Sequence, residues 1–223
     1  QLYKGFVQTK DKRCLTPFKN ATSDELLSLE QVKNLPEYAG ILSDETILVD
    51  VDDIEQSVVL LNIVETLGLK CRVYMTSRGK HFLFKNPELV KSNRTKATLA
   101  IGLKADLKLG SRNSYQILKY MNEDRPILYD WPEDEIQDLP KWLIPVKTDV
   151  DFRSLGEGDG RNQALFNYIL TLQDHDFTKE EARETIRLIN RYVLKAPLDD
   201  RELETILRDE AFQKQSFFKG RSF

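Results

Sequence analysis

Apolar and polar positions alternate in short blocks through the first two thirds of the chain. Residues 46–52 form an apolar, β-branched run that ends in acidic residues and predicts a buried strand. Directly after it, Asp53 and Gln56 form a capping-box pattern and Gly68 is a typical stop, so we predict a helix over 54–67. Further strands are predicted at 72–76, 81–85, 106–109 and 115–119.

The period changes in the last third of the chain. Apolar residues recur there at three-and-four spacing, which predicts helices over 161–173, 178–194 and 199–210. Before them, residues 126–150 are rich in proline and acidic residues and predict an irregular connection. We therefore expect an α/β (α+β) fold with a mixed or antiparallel sheet in a first domain, 1–149. A small all-α domain, 150–223, should follow.

Composition excludes several classes of protein. The 223 residues are 40% hydrophobic and 31% charged, which is ordinary for a globular protein. No stretch approaches about 18 uncharged apolar residues and the N-terminus lacks a signal-peptide pattern, so we expect no membrane span and no secretion. Cys14, Cys71, His81 and His175 have no zinc-site spacing, so no zinc is expected, and reduced thiols fit a cytoplasmic protein. Because the sequence begins at Gln1, we expect a longer parent polypeptide.

Charge is distributed unevenly along the chain, although the net charge is only −3. Residues 70–119 hold 12 Lys and Arg against two acidic residues, and residues 120–159 hold four against 11. A locally basic surface attracts polyanions such as nucleic acids, whatever the net charge. The alternative is a solvated basic surface without a partner.

The first candidate site is the acidic end of the strand at 46–52. Asp50 and Asp52 are two residues apart, so a strand points both carboxylates to one face. Their mutual repulsion is relieved by a divalent cation, and carboxylate oxygens are ligands that Mg²⁺ and Mn²⁺ favour. The alternative is that the acids only end the strand and cap the helix.

Two more candidates lie in the basic block. Ser77, Arg78, Lys80 and His81 surround a glycine in a turn, and all four side chains can donate hydrogen bonds to phosphate oxygens. Asp106 lies between two lysines at the start of a strand, where it could be a third metal ligand. A structural histidine and a surface ion pair are the respective alternatives.

Taken in order, these features resemble the archaeo-eukaryotic primase superfamily, in particular the primase-polymerases of phages and plasmids, over about residues 38–148. The family pattern has Asp-x-Asp after an apolar strand, Ser-x-Gly-x-His entering a strand, and Asp at another strand. This chain carries it at Asp50, Asp52, Ser77, Gly79, His81 and Asp106. It departs from the pattern at Ala105, which is small, and at Lys108, where arginine is common.

The resemblance implies a template-dependent nucleotidyltransferase, a DNA primase and DNA polymerase that makes or extends primers on single-stranded DNA. Asp50, Asp52 and Asp106 would hold two Mg²⁺ or Mn²⁺ ions. The triphosphate of an NTP or dNTP would be bound by Ser77, Arg78, Lys80, His81 and Lys108. Template and primer would follow the basic block, with Arg112 as a nucleic-acid contact. Such a protein acts in the cytoplasm of a bacterium or a phage-infected cell.

The C-terminal helices resemble the small helical domain that follows many phage primase-polymerases and often precedes a helicase. Arg161 is the candidate nucleic-acid contact there, and the alternative is that it only caps a helix. A helicase domain would then follow residue 223. A non-catalytic DNA-binding replication module with the same fold is the alternative function. A phosphatase with Asp-x-Asp is disfavoured, because Ile54 stands four residues after Asp50 and His81 would have no role.

Overall fold

The computed structural model describes residues 1–212, and these divide into two compact units. The first unit comprises 1–96 and 105–139, and the second comprises 97–104 and the chain from residue 140 onward. The first unit thus ends before the predicted boundary at Asp149, and the second includes a segment from the middle of the chain. Residues 213–223 of the predicted helical domain lie outside the described residues.

Strands form two antiparallel sheets, where the sequence predicted one mixed or antiparallel sheet. The first contains β1 (Tyr3–Lys10), β2 (Arg13–Cys14), β3 (Tyr38–Leu42), β9 (Tyr115–Tyr120) and β10 (Glu123–Asp124), in the order β10-β9-β3-β1-β2. The second contains β4 (Thr46–Val51), β5 (Arg72–Met75), β6 (Lys80–Lys85), β7 (Arg94–Thr98), β8 (Lys104–Leu109) and β11 (Ile127–Tyr129), in the order β11-β5-β6-β4-β8-β7. The α+β class is confirmed.

The first sheet was largely missed because β1 has a weak apolar pattern. Its buried positions alternate as a strand requires, but Gly5 and Thr9 occupy two of them. The Cβ of any other residue at Gly5 would lie 2.4 Å from Leu26 Cβ, so the close packing of this strand excludes a larger residue. A glycine and a threonine at inward positions remove the alternation by which strands are predicted.

Helix α2 (Ile54–Leu67) has the predicted bounds. Asp53 caps it by accepting a hydrogen bond from Gln56 N at 2.8 Å, and Gly68 ends it with a left-handed φ of 62°. The helix packs against β4 and buries Leu60 and Ile63. Two shorter elements precede β3, a 3₁₀ turn at Ser23–Glu25 and the one-turn helix α1 (Leu29–Val32).

Between the two sheets of the first unit lies an apolar cluster. Leu48 of β4 and Leu83 of β6 meet Tyr3, Leu42 and Leu118 from the first sheet. The opposite face of the second sheet is also buried, because Phe82 and Phe84 have no exposed surface. His81 and Leu83 alternate with these two residues on β6 and therefore face the first sheet.

The described part of the second unit includes the helices α3 (Arg161–Asp174), α4 (Lys179–Leu188) and α5 (Asp200–Ile206). The helix predicted over 178–194 ends early, because the backbone continues as a π-helix at Ile189–Val193. Within this segment the side chain of Asn190 accepts from Leu198 N at 2.7 Å and donates to Leu198 O at 3.2 Å, which ties the π-helix to the segment before α5. No helix within residues 1–212 is long and apolar enough to cross a membrane.

Replacing Phe82 with alanine tests the orientation of β6. Because this ring is fully buried on the face opposite His81, we expect Phe82→Ala to lower the free energy of unfolding by about 3–5 kcal/mol. Met121→Ala, at a side chain 68% exposed, should change it by less than about 0.5 kcal/mol. Urea denaturation measures both, and equal effects would contradict the described orientation.

Candidate functional site

A cleft of about 560 Å³ lies between the sheets of the first unit. Six of the residues predicted for the site line it, and these are Asp50, Asp52, Ser77, Arg78, His81 and Lys108. They come from β4 and the residue after it, from β6 and the turn that precedes it, and from β8. Residues that are far apart in sequence therefore meet in one cleft.

Strand register explains why they meet. Asp50 stands directly opposite His81 on β6 and directly opposite Asp106 on β8. On the far side of β6, Tyr74 of β5 stands opposite His81. Side chains of directly opposed residues project from the same face of a sheet, about 4.5–5.5 Å apart at Cβ. Tyr74, His81, Asp50 and Asp106 thus form one row across four strands.

Asp50 is the most strongly held member of this row. Its Oδ1 lies 3.3 Å from His81 Nε2, and its Oδ2 accepts a hydrogen bond from Lys108 Nζ at 2.9 Å. Burial alone would raise the pKa of Asp50, but the contacts with His81 and Lys108 outweigh it and hold that pKa well below its usual range. The carboxylate is therefore ionised at neutral pH.

His81 is fixed on both sides of its ring. Gln116 Oε1 accepts a hydrogen bond from Tyr3 OH at 2.6 Å, which turns the amide nitrogen toward His81 Nδ1, 3.1 Å away. An amide nitrogen only donates, so Nδ1 accepts and the ring proton is assigned to Nε2, facing Asp50. Burial lowers the pKa of His81, partly opposed by Asp50. The imidazole is therefore neutral.

The turn before His81 depends on Gly79. Thr76 N donates to Gly79 O, and Gly79 N donates to Thr76 Oγ1, both at 3.0 Å. A Cβ at Gly79 would lie 1.9 Å from Val51 O, so the turn approaches the end of β4 more closely than any side chain allows. This approach places Arg78 beside Asp52, with an ion pair of 2.8 Å.

Four predicted site residues are not brought into the cleft. Asp106 shares the sheet face of Asp50, but it does not line the cleft and its Oδ1 accepts from Lys96 N at 2.7 Å. Lys80 is adjacent to His81 on β6 and so points the other way, donating to Ser57 Oγ at 3.0 Å.

The other two are arginines bound to backbone carbonyls. Arg112 Nη2 donates to Lys91 O at 3.0 Å, outside the cleft. Arg161, in the second unit, donates through Nη1 to Ala196 O at 2.6 Å and Pro197 O at 3.3 Å. These bonds join the start of α3 to the segment before α5, which is a structural role.

Sequence analysis missed several residues that line the cleft, including Lys12, Asn93, Gln116 and Arg125. For Gln116 the sequence carried one signal, a polar residue inside a predicted strand, and the structure shows that this residue is buried. The sequence carried no such signal for Arg125 or Lys12, because each lies in a connection between strands whose position depends on the first sheet.

Carboxylate oxygens suit a divalent cation, and Asp50 and Asp52 supply them in the cleft. Asp106 stands opposite Asp50 on the same face of the sheet but does not line the cleft. The donor chemistry fits Mg²⁺ or Mn²⁺. Within residues 1–212, no three His, Cys, Asp or Glu side chains are grouped closely enough to form a metal-binding cluster.

Comparison with family models, curated proteins and solved structures found no match to this chain.

Substituting Gly79 with alanine tests the close approach of the turn. We expect Gly79→Ala to destabilise the protein by about 1–3 kcal/mol, because the new methyl group meets a backbone oxygen that cannot move independently. In Gly156→Ala the new atom would meet only side-chain atoms, of Asp159 at 3.3 Å and of Lys195 at 3.9 Å, so the change should be small. Denaturation curves compare the two, and a Gly79→Ala variant as stable as Gly156→Ala would refute the geometry.

Stability should depend on pH through His81. The pKa of His81 is lowered in the folded protein, so folding favours the neutral ring. The resulting contribution to the free energy of unfolding is complete above the pKa of histidine in the unfolded chain, about 6.5, and is lost as pH falls below it. The slope from this residue is at most about 1.4 kcal/mol per pH unit. The pKa of Asp50 is also lowered, so protonation of this carboxylate causes a further loss of stability as pH falls below about 3.9.

The measurement is urea denaturation of the wild type and of His81→Gln from about pH 7.5 down to about pH 5. We expect the wild type to lose more stability over this range than the variant. Identical slopes would show that His81 does not resist protonation in the fold.

Proposed function

We propose that the first unit is the catalytic part of a primase-polymerase, a nucleotidyltransferase that makes or extends primers on a single-stranded DNA template. The observation that supports this most is the row across the second sheet. It places an ionised Asp50 between Asp106 and His81, in a cleft that also holds Arg78 and Lys108. Acidic groups for metal ions and donors for phosphates then share one site, as nucleotidyl transfer requires.

The metal ions would be held by Asp50, Asp52 and Asp106. Two Mg²⁺ or Mn²⁺ ions at these carboxylates would lower the pKa of the attacking 3′-hydroxyl and neutralise the leaving pyrophosphate. Asp50 and Asp52 now pair with Lys108 and Arg78. A divalent cation would replace these partners as the counter-charge.

The triphosphate of an NTP or dNTP would be bound by the donors in the cleft. Lys108 and Arg78 carry positive charge, and Ser77 adds a hydroxyl on the exposed turn. His81 holds its proton on Nε2, which faces Asp50, so it would donate to a phosphate oxygen without a change of tautomer once that contact is exchanged. The predicted role of Lys80 would require it to leave Ser57.

DNA would be bound by basic side chains around the cleft. Arg94 and Lys96 lie on the exposed edge strand β7, where phosphates could approach without displacing other groups. The proposed assembly also includes a helical C-terminal domain and a helicase domain after residue 223. Arg112 and Arg161 contribute to DNA binding in this proposal only if their carbonyl partners are exchanged for phosphates.

A non-catalytic DNA-binding replication module is the second candidate. One observation favours it, because each of the three carboxylates already has a partner within the protein. In that case the contacts of the three carboxylates would be permanent and structural, and the function would be DNA binding by the basic side chains alone.

Primer extension tests the first candidate. With labelled nucleotide and Mg²⁺ or Mn²⁺, Asp50→Ala with Asp52→Ala should reduce incorporation by at least about 100-fold, since metal ligands are removed. Binding of single-stranded DNA, followed by fluorescence anisotropy, should persist because phosphate contacts lie elsewhere.

Asp24→Ala with Asp134→Ala is the matched control, because both acids are exposed and outside the cleft. It should retain both activities, and thermal melts check that each variant folds. Wild-type protein that binds DNA but incorporates no nucleotide would support the second candidate. Parallel loss of both activities in the first variant would contradict the division of roles.

A further inference from the structure

Arg125 lines the cleft, although it belongs to none of the sequence motifs. It lies where the chain passes from the first sheet to the second, between β10 and β11. Arg125 N donates to Leu118 O at 2.8 Å, and the carbonyl of the next residue, Pro126, accepts from Met75 N at 2.9 Å. Its backbone is therefore held by both sheets, and its position is fixed before any ligand binds.

The guanidinium of Arg125 is incompletely satisfied. Its Nε is buried and has no hydrogen-bond partner among residues 1–212. Asp50 is the acidic group whose charge acts on it, but both oxygens of Asp50 already contact His81 and Lys108. A buried charged donor without a partner is costly and rare, so its presence in a fixed position calls for an acceptor from outside the protein.

The charges in the cleft indicate the chemical nature of the acceptor that Arg125 would bind. Lys12, Arg78, Lys108 and Arg125 line it, against two carboxylates, Asp50 and Asp52. The excess is positive, and it increases further when a divalent cation takes over the carboxylates. Arginine presents a planar fork that matches the oxygens of a phosphate group, and a polyphosphate can reach several cations at once.

We propose that Arg125 is a phosphate-contact residue that binds a polyphosphate in the cleft that it shares with Lys108 and Arg78. Inorganic tripolyphosphate is the minimal ligand of this site. The identification of that group as the triphosphate of the incoming nucleotide rests on the proposed function. The phosphate contact itself does not.

Isothermal titration of the protein with inorganic tripolyphosphate tests this directly, with and without Mg²⁺. Arg125→Gln should weaken binding at least about tenfold, which is typical for loss of a hydrogen bond to a charged group. Arg125→Lys keeps the positive charge but loses the planar guanidinium, so its affinity for tripolyphosphate should lie between those of the wild type and Arg125→Gln. Arg13→Gln is the matched control, because Arg13 is exposed on β2 and does not line the cleft.

Thermal melts and DNA-binding measurements on Arg125→Gln distinguish a phosphate contact from a structural role. Arg125→Gln should melt no lower than the wild type, since the substitution removes an unpartnered buried charge, and it should bind single-stranded DNA within about twofold of the wild type. A variant that melts lower and binds tripolyphosphate normally would show that Arg125 is only a structural partner of Asp50.

Two more results would overturn the proposal. One is wild-type protein that does not bind tripolyphosphate. The other is equal loss of tripolyphosphate and DNA binding in Arg125→Gln, which would assign the contact to the nucleic-acid backbone. If the variant loses tripolyphosphate binding while wild-type protein incorporates no nucleotide, the phosphate site stands and the proposed nucleotidyl transfer fails.

Discussion

The half-buried carboxylate of Asp50 is the group on which the arrangement of the cleft depends. An ionised carboxylate removed from water is destabilising unless charges or hydrogen bonds compensate. His81 and Lys108 provide the compensation, one at each oxygen. Both are placed by pairing of their strands with β4, so the register of the sheet and the ionisation of Asp50 support one another.

The two sheets of the first unit meet differently at the apolar cluster and at the cleft. Around Leu48 and Leu83 they exclude water, and around Asp50 they leave room for a ligand. Tyr3 belongs to both environments, because its ring packs in the apolar cluster while its hydroxyl orients Gln116 and thereby His81. The tautomer of His81 is thus set by the first sheet.

The same ion pairs bear on both candidate functions. Lys108 and Arg78 neutralise the acids in the protein alone, and they are also the side chains proposed to bind a triphosphate. The pair of Arg78 and Asp52 is exposed and contributes little to stability, so its exchange for a metal ion and a phosphate is energetically easy. The pair of Lys108 and Asp50 is less exposed and is exchanged at greater cost.

The sequence by itself determined the local elements with strong patterns. Helix α2 followed from its caps, and β4 and β6 followed from their apolar runs. Strand β7 was missed because it is a polar, largely exposed edge strand, which carries no apolar period. Only the tertiary structure decided that Asp50 lies opposite both His81 and Asp106, that Lys80 points away, and that Gln116 and Arg125 enter the cleft. Register and sheet packing join residues far apart in the chain, and a local pattern contains no information about such pairs.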